Sequence, residues 1–385
     1  MNALVYFVHN SFIEAFKETP SHCIQAPGRV NLIGEHTDYN DGYVLPCAIN
    51  YQTVIAARKR DDNLLRVVAL DYGSEMDEFD VSGPIHHVPN KIWANYIRGV
   101  VLHIRQRGFQ FGGADLVVSG NIPQGAGLSS SASLEVAVGK TITELYSLDL
   151  NNQSLALIGQ EAENQFVGCN CGIMDQLISA KGKEGSALLI DCRTLETQPI
   201  HLPSKLAVLI INSNKSRGLV DSEYNTRREQ CEAAAAFFNV DALRDVTIEQ
   251  LENAKSEMDE LVYRRAKHVV TENARTVAAS SALKQGQVDE LSELMRQSHL
   301  SMKDDFEITI PEIDYLVAKI DELIGSTGGV RMTGGGFGGC VVALAPQEAI
   351  PLIQKKVFPN YFDKFGLDAE LHVCSAQSGT SVVEQ

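Results

Sequence analysis

The sequence lacks a surplus of positive charge, a long apolar run and a regular spacing of cysteines. Its 33 Lys and Arg residues are outnumbered by 49 Asp and Glu, which gives a net charge of −16 with no basic block. This balance argues against nucleic acid or an anionic membrane surface as a partner. No stretch is long and apolar enough to span a membrane, and the N-terminus has no basic segment followed by an apolar one. We therefore expect a soluble, cytoplasmic protein.

The eight cysteines follow no disulfide or zinc pattern. Cys169 and Cys171 form a C-x-C pair, but no second pair accompanies them. We expect reduced, mostly buried thiols, as is usual inside cells. The 385 residues, 44% of them hydrophobic and 21% charged, are enough for two cores, and we place the division between residues 1–204 and 205–385.

A Walker-type phosphate loop is also missing. The single Gly-Lys-Thr run, Gly139 to Thr141, has Leu134 at the position where that pattern requires a glycine. The His-Arg-Asp and Asp-Phe-Gly motifs of protein kinases are absent as well. The glycine-rich run Thr333 to Gly339 is followed by strand-like residues, Cys340 to Ala345, whereas a dinucleotide fingerprint must open a helix. Three common nucleotide-binding classes are therefore excluded.

A different glycine- and serine-rich segment, Asn121 to Ala132, is present, and we call it the Gly/Ser loop. It lies between a predicted strand at Ala114–Ser119 and a predicted buried helix at Ser133–Tyr146. Gly125 and Gly127 allow the backbone to approach a ligand, because they carry no Cβ atom. The three serines that follow lie where a helix N-cap belongs, and the free N–H groups there favour phosphate. The segment predicts an anion site.

Short polar side chains crowd the bends between two predicted strands in the segment Gln25 to Ile49. Gly34 breaks the first strand, and Asn40-Asp41-Gly42 is typical of a tight hairpin turn. The polar residues around these bends are Arg29, Glu35, His36, Asp38 and Asp41. A sugar hydroxyl both donates and accepts a hydrogen bond, so charged acceptors with fixed geometry discriminate well between sugars. The composition fits a carbohydrate site, and by itself it also fits a solvated polar turn.

The periodicity of the remaining chain predicts both helices and strands. Helices are expected at Ala3–Lys17, Trp93–Arg105, Leu155–Gly168, Ser222–Ala236 and within Ile248–Met302. Strands are expected as a meander within Thr53–Phe79, and at Leu206–Asn212.

Three motifs taken together resemble the GHMP family of small-molecule kinases. Pro27 to Glu35 resembles the first motif, Pro123 to Ala132 the second and Thr333 to Gly339 the third, in the family's order. The run Gly28 to Tyr39 also resembles the galactokinase signature at every position. The resemblance implies an α+β fold in two domains, with the active site in the cleft between them.

The resemblance also implies the reaction and its cofactors. The γ-phosphoryl group of ATP would be transferred to O1 of the small-molecule substrate α-D-galactose, giving α-D-galactose 1-phosphate and ADP in the first step of galactose catabolism. Mg²⁺ would assist, and no obligatory protein partner is expected.

The resemblance assigns a role to each matching residue. ATP would be bound by Gly125, Ala126, Gly127, Leu128, Ser129, Ser130 and Ser131. Mg²⁺ would be held by Ser131 and Glu163. The sugar would be bound by Glu35, His36, Thr37, Asp38, Gly172, Asp175 and Tyr224. Asp175 is the expected general base, and Arg29 would stabilise charge on the transferred group.

Several alternatives stay open. Asp175 would either abstract the O1 proton or orient O1 while the proton leaves late, because pairing with a cation weakens a carboxylate as a proton acceptor. Trp93, the only tryptophan, is expected in the core, with contact to adenine as the alternative. A kinase for N-acetylgalactosamine, mevalonate or homoserine is disfavoured by the intact Glu35–Tyr39 run. A sugar and ATP sensor without turnover is disfavoured by the complete serine run together with Asp175 and Arg29.

Overall fold

A computed structural model describes residues 3–123, 125–215 and 220–383, without the side chains of residues 220–222. Three sheets with helices packed against them confirm the expected α+β class. The strands are β1 (His22–Asn31), β2 (Tyr43–Val44), β3 (Pro46–Lys59), β4 (Leu64–Ala69), β5 (Glu75–Asp80), β6 (Ala114–Gly120), β7 (Ser186–Asp191), β8 (Thr197–His201), β9 (Leu206–Asn212), β10 (Gly329–Thr333), β11 (Cys340–Pro346), β12 (Glu370–Cys374) and β13 (Ser381–Val382).

In the N-terminal half, groups of consecutive strands are separated by one helix or by a group of helices, and helices dominate the C-terminal half. They are α1 (Ala3–Phe16), α2 (Ile92–Gln106), α3 (Ser130–Tyr146), α4 (Asn152–Glu161), α5 (Met174–Lys181), α6 (Val220–Phe238), α7 (Ile248–Ala254), α8 (Glu260–Gln285), α9 (Val288–Asp304), α10 (Pro311–Ile324), α11 (Ala349–Lys356) and α12 (Phe358–Phe365). Within the described ranges, no helix has the length and apolar character needed to cross a membrane.

The largest sheet has the strand order β13-β1-β3-β6-β4-β5. Neighbouring strands are antiparallel except β4 and β6, which are parallel. The predicted meander within Thr53–Phe79 is therefore wrong in part, because β6 lies between β3 and β4. The residues explain this order: β6 is buried from Ala114 to Ser119 and suits a central position, whereas the acidic β5 suits an edge.

Helices cover both faces of this sheet. Along β3, Val54 and Ala56 belong to a core with α1, while Ile55 and Ala57 belong to the core formed with α2 and α3. This alternation is the period of two that a strand between two helical layers requires. Helix α3 begins at Ser130, three residues before the predicted start.

The second sheet has the order β10-β11-β9-β12 and is also buried on both faces. In β9, Leu209 and Ile211 join the core formed with helices of the C-terminal half. Val208 and Ile210 join a different core, which includes Leu32 from the N-terminal half. This arrangement explains why the β9 segment is apolar at nearly every position, and it joins the two halves through a shared core.

The end of the chain returns to the first sheet. After β12, Val382 of β13 pairs with Ile24 of β1. The third, small sheet has the order β2-β7-β8 and lies in the N-terminal half. The division into residues 1–204 and 205–385 stays a prediction, and the last strand lies with the first half.

The helix predicted at Leu155–Gly168 is present in two parts. Helix α4 ends at Glu161, and Ala162–Val167 form a wider π-helical turn. The N–H groups of Gly168 and Cys169 both donate to the carbonyl of Glu163, at 2.9 and 3.0 Å. Such wide turns often occur at functional sites, and this one carries a predicted metal ligand.

Candidate active site

Two adjoining cavities share Ile92 and Tyr96 of α2 in their walls. The first, of about 590 Å³, lies beside the Gly/Ser loop and is lined by the N-terminal half. The second, of about 610 Å³, is lined by both halves of the chain, with Tyr224 and Gly334 contributed by the C-terminal half. Of the predicted phosphate residues, Gly125, Ser130 and Ser131 line the first cavity. Of the predicted sugar residues, all but Thr37 line the second.

The Gly/Ser loop has the backbone that its glycines predict, with one difference at the helix start. Gly125 and Gly127 have φ of 72° and 73°, in the left-handed region that favours glycine. Ser129 occupies the N-cap position of α3, but its side chain makes no capping hydrogen bond. Its hydroxyl instead donates to the carboxylate of Asp175. The expected capping role of Ser129 is therefore wrong, and the residue links the loop to the predicted base.

The other loop residues divide into two groups. Ser130 and Ser131 line the first cavity. Ala126 and Leu128 are buried in the core shared by the two halves, so only their backbone groups are available to a ligand.

An ion pair between Arg29 and Asp175 lies at the centre of the site. The Arg29 Nε and one terminal nitrogen each donate to a different oxygen of Asp175, at 2.7 Å in both cases. The other terminal nitrogen donates to the carbonyl of Gly127 at 2.5 Å. Arg29 therefore ties β1, the Gly/Ser loop and the start of α5 together, and this two-pronged geometry fixes the orientation of the carboxylate.

The polar bend after β1 joins this strand to its antiparallel neighbour β3, so the predicted hairpin is present, but through a broad loop and not through a tight turn at Asn40–Gly42. Thr37 holds residues 34–44 together, because its buried hydroxyl lies 3.0 Å from the carbonyl of Gly34 and 2.7 Å from that of Tyr43. The Thr37 hydroxyl is thus engaged within the loop, whereas its neighbours Glu35, His36 and Asp38 line the second cavity.

Asp38 and Gly172 form a close contact that only glycine permits. A Cβ atom at position 172 would overlap the carboxylate of Asp38. Burial, reinforced by the charge of Asp175, raises the pKa of Asp38 to about 7. Gly172 therefore serves the site by making room for an acidic side chain.

His36 lies in an aromatic cluster at the wall of the second cavity. Its Nδ1 is 2.8 Å from the hydroxyl of Tyr39, and its ring centroid is 5.1 Å from that of Tyr224 and 4.8 Å from that of Phe306. Burial lowers the pKa of His36 to about 3, so the ring is neutral at pH 7. A neutral, hydrogen-bonded imidazole presents a fixed polar edge without adding charge.

Two buried glutamates share one amide beside Asp175. The side-chain N–H₂ of Gln176 donates to Glu163 at 2.8 Å and to Glu135 at 3.0 Å, and Ser131 also hydrogen-bonds to Glu163. Burial, reinforced by Asp175, raises the pKa of Glu163 to about 7, and burial raises that of Glu135 well above its usual range. This part of the site therefore carries more carboxyl groups than positive charge.

These residues fit a magnesium ion that is shared with phosphates. Within the described ranges, no group of three or more His, Cys, Asp or Glu side chains could hold a metal alone. Mg²⁺ commonly takes one or two protein oxygens and completes its shell with phosphate and water. A hydroxyl from Ser131 and a carboxylate from Glu163, which has no cationic partner among the residues described, match that pattern.

Glu35 is held by the third glycine-rich motif. Its Oε1 accepts hydrogen bonds from Arg331 at 2.9 Å, from the hydroxyl of Thr333 at 3.1 Å and from the N–H of Gly334 at 2.7 Å. The motif thus contacts the polar loop of the N-terminal half directly.

Trp93 lies in the core, as expected, and the alternative contact with adenine stays a prediction. It is only 6% exposed and belongs to the core, yet it also lines the first cavity. Its Nε1 donates to Glu75 at 3.0 Å, and its ring is stacked on Tyr72 with centroids 6.1 Å apart.

Sequence reasoning missed Glu135, Gln176 and Arg331. Glu135 is the only charged residue in the apolar run from Ala132 to Val138, and Arg331 is a lone charge in a short strand. A charge at a position where the pattern predicts burial must be paired, so each was a signal of a buried polar contact.

Family models match three parts of the chain. Residues 10–59 match the galactokinase galactose-binding signature, residues 95–183 match the GHMP kinases N terminal domain and residues 279–364 match the GHMP kinases C terminal model.

Solved structures of similar fold cover nearly the whole chain. Galactokinase from Lactococcus lactis, complexed with galactose, is 34% identical with a TM-score of 0.93, and the match covers 99% of this chain and 100% of that one. Mevalonate kinase from Methanococcus jannaschii is 20% identical with a TM-score of 0.60, covering 93% and 99% of the two chains. Streptococcus pneumoniae phosphomevalonate kinase is 14% identical with a TM-score of 0.64, covering 91% and 99%. The last two show a shared fold alone.

We predict that Asp38→Asn stabilises the ligand-free protein more at pH 8 than at pH 5. The pKa of Asp38 is about 7 in the folded chain and about 4 in the unfolded chain, so the folded state binds more protons between these values and loses stability as the pH rises. Asparagine removes this loss. Thermal unfolding at the two pH values measures the gain in the free energy of unfolding of the variant over wild type. This gain should be about 1 to 2 kcal/mol larger at pH 8 than at pH 5, after allowance for solvent screening.

Asp41→Asn is the matched control, because Asp41 is an exposed acid of the same loop that pairs with Arg193. An equal effect of Asp38→Asn at both pH values would contradict the prediction.

Proposed function

The chain belongs to the galactokinase family of the GHMP kinases, and we propose that it transfers the γ-phosphoryl group of ATP to O1 of α-D-galactose. The products are α-D-galactose 1-phosphate and ADP. The observation that carries this proposal is the triple contact of Asp175, which lines the second cavity, with Arg29 and with Ser129 of the Gly/Ser loop. It supplies a fixed carboxylate between a phosphate-binding loop and a polar, sugar-sized cavity.

We assign ATP to the first cavity. Its volume and partly apolar lining suit a nucleotide, and the start of α3 offers backbone N–H groups to the phosphates. The phosphate contacts are proposed for Gly125 to Ser131, with Ala126 and Leu128 acting through their backbone. Trp93 and Tyr72 also line this cavity, and we propose that they contact the adenine base.

Mg²⁺ would be held by Ser131 and Glu163. When bound, it neutralises charge on the phosphates and so assists their transfer. Gln176 holds Glu163 in place by donating to its carboxylate at 2.8 Å.

We assign galactose to the second cavity. Glu35, Asp38 and Asp175 offer carboxylate acceptors, and His36 and Tyr224 add polar aromatic edges. Gly172 leaves space for the side chain of Asp38. Thr37 stabilises, through its hydroxyl, the loop that carries Glu35, His36 and Asp38. Several fixed acceptors aimed into one cavity give the discrimination between hydroxyl patterns that a sugar kinase needs.

Transfer requires that O1 attack the γ-phosphorus while the bond to the bridging oxygen of ADP breaks. Positioning and charge stabilisation supply most of the catalysis in such reactions. Asp175 is placed to accept the O1 proton, and Arg29 is placed to stabilise charge on the transferred group. Because both oxygens of Asp175 already accept hydrogen bonds, Asp175 is well oriented. The alternative role is that it orients O1 while the proton leaves late in the reaction.

We further propose a cytoplasmic location and activity without an obligatory protein partner. Galactose and ATP are the small-molecule partners. The low sequence identity of the mevalonate and phosphomevalonate kinases supports only the fold, whereas the galactose-binding signature at residues 10–59 favours galactose as acceptor.

ADP release from Mg·ATP should be fastest with galactose. We expect kcat/KM for galactose to exceed the values for glucose, N-acetylgalactosamine and mevalonate by at least about tenfold. Preferred turnover of another acceptor would refute the assignment of the Glu35–Tyr39 loop to galactose. Binding of galactose and ATP without ADP release would favour a sensor.

Asp175→Asn should lower kcat by more than about tenfold, which corresponds to about 1.4 kcal/mol of transition-state stabilisation. The amide preserves shape but cannot accept the O1 proton as a carboxylate does. Steady-state kinetics with galactose and Mg·ATP would measure the loss, with Asp41→Asn as the control at an acid that lines neither cavity. If Asp175→Asn keeps more than about a tenth of kcat, the residue orients O1 and is not the base.

Nucleotide binding should change the fluorescence of Trp93. Because Trp93 is the only tryptophan, its emission reports one wall of the first cavity. We expect a change on addition of Mg·ADP and little change on addition of galactose, and Trp93→Phe should abolish the signal. An equal response to galactose alone would argue that the first cavity does not hold the nucleotide.

A further inference from the structure

Glu35 belongs to the N-terminal half but is held by the C-terminal half. Its backbone N–H lies 3.4 Å from the carboxylate of Glu272, and its carbonyl oxygen lies 3.1 Å from Nε2 of His268. Its side chain pairs with Arg331 of β10 at 2.9 Å. Helix α8 and the third glycine-rich motif therefore fix both the backbone and the side chain of this residue.

Arg331 is itself fixed on every side. It is fully buried, and its Nε donates to the carbonyl of Leu32 at 2.7 Å. One terminal nitrogen donates to the carbonyl of Met332 at 2.7 Å, and the other donates to Glu35 at 2.9 Å and to the carbonyl of Asn31 at 3.2 Å. The planar guanidinium thus spans the end of β1 and the first residue of the sugar loop, which a lysine could not do with one ammonium group.

The two carboxylate oxygens of Glu35 have different surroundings. Oε1 accepts from Arg331, Thr333 and Gly334, which saturates it. Among the described residues, no hydrogen bond engages Oε2, although Glu35 lines the second cavity. One oxygen is therefore an anchor, and the other is free to accept a hydrogen bond from a ligand.

We propose that Arg331 is a positioning residue for sugar recognition, which anchors Oε1 of Glu35 so that Oε2 meets one hydroxyl of the substrate. This inference rests on the proposed binding of galactose in the second cavity. The third glycine-rich motif then acts on the sugar through Glu35, and Arg331 itself does not touch the substrate.

A purely structural role predicts a different result. Removing one partner of a buried ion pair destabilises a protein wherever the pair lies. A positioning role predicts, in addition, that the loss of galactose affinity depends on Glu35. The two roles are separated by combining substitutions at both positions.

The test measures the dissociation constant of galactose by calorimetry for wild type, Glu35→Gln, Arg331→Lys and the double variant. We expect each single variant to bind galactose at least about tenfold more weakly. Glu35→Gln loses the charged acceptor for a sugar hydroxyl, and Arg331→Lys loses the guanidinium group that anchors this acceptor. The double variant should bind no more than about threefold more weakly than Glu35→Gln alone, because Arg331 acts through Glu35. The dissociation constant of Mg·ADP should stay within about twofold of wild type in all four proteins.

Monodeoxygalactoses identify the hydroxyl concerned. The sugar that lacks the Glu35 partner should bind wild type poorly and should lose no further affinity in Glu35→Gln. Arg331→Lys should lose its discrimination against that same sugar and keep its discrimination against the others. Loss of discrimination against a different sugar would overturn the proposal.

Arg98→Lys is the matched control, because Arg98 forms a buried two-pronged pair with Asp77, at 2.8 and 2.9 Å, that lines neither cavity. It should lower the unfolding temperature without changing galactose affinity. If Arg331→Lys fails to fold, Thr333→Val replaces it, because this substitution removes a neutral donor to the same Oε1. Combined with Glu35→Gln in the same double-mutant cycle, it should lower the affinity for galactose by about threefold to tenfold.

Two outcomes would refute the role of Arg331. The first is additive losses in the double variant, and the second is an unchanged galactose affinity with a lowered unfolding temperature. Failure of wild type to release ADP, with galactose affinity and the cycle intact, would refute the proposed reaction and leave the role of Arg331 standing. Failure of wild type to bind galactose would refute both.

Discussion

Carboxylates crowd the cleft more closely than its cations can neutralise. Arg29 pairs with Asp175 and Arg331 pairs with Glu35, but Asp38 and Glu163 have no such partner in the part of the chain that the structure describes, and their pKa values are raised to about 7. Unpaired buried charge is costly, so the surrounding fold must hold these groups together against their repulsion. The binding of hydroxyl donors and a divalent cation would relieve this cost, which couples substrate binding to the stability of the cleft.

The shared core is what holds the groups in place. Strand β9 is buried on both faces, so the second sheet packs at once on its own helices and on residues of β1 and the segment after it. The acids of the polar loop follow β1 directly, and the loop is closed by Thr37. Site geometry therefore depends on apolar packing that lies outside the cavities, and on backbone contacts such as that between Arg331 and Leu32.

The sequence predicted the fold class, the family and most helices and strands, because periodicity and the three motifs are local signals. It also predicted one site for Arg29, Glu35, His36, Asp38, Asp175 and Tyr224, which line the second cavity together. It did not predict that Ser129 contacts Asp175, that Thr37 is engaged within its own loop, or that Arg331 holds Glu35. The contacts of Ser129 and Arg331 join residues 46 and 296 positions apart, so no local pattern encodes them. Those of Thr37 span only 3 and 6 positions, but they depend on the shape of the broad loop, which the turn pattern did not predict. The predicted meander within Thr53–Phe79 was wrong in part for a similar reason, since the position of β6 between β3 and β4 depends on burial in the whole sheet.

The return of the last strand to the first sheet has a mechanical consequence. The chain crosses between the halves twice, after β8 and after β12, and both crossings meet at Gly185, whose carbonyl accepts from Leu202 and whose N–H donates to Ala376. Both connections are therefore tied by backbone hydrogen bonds to one residue of the N-terminal half, in addition to the core that the halves share. A change in the backbone at Gly185 would thus affect both connections at once.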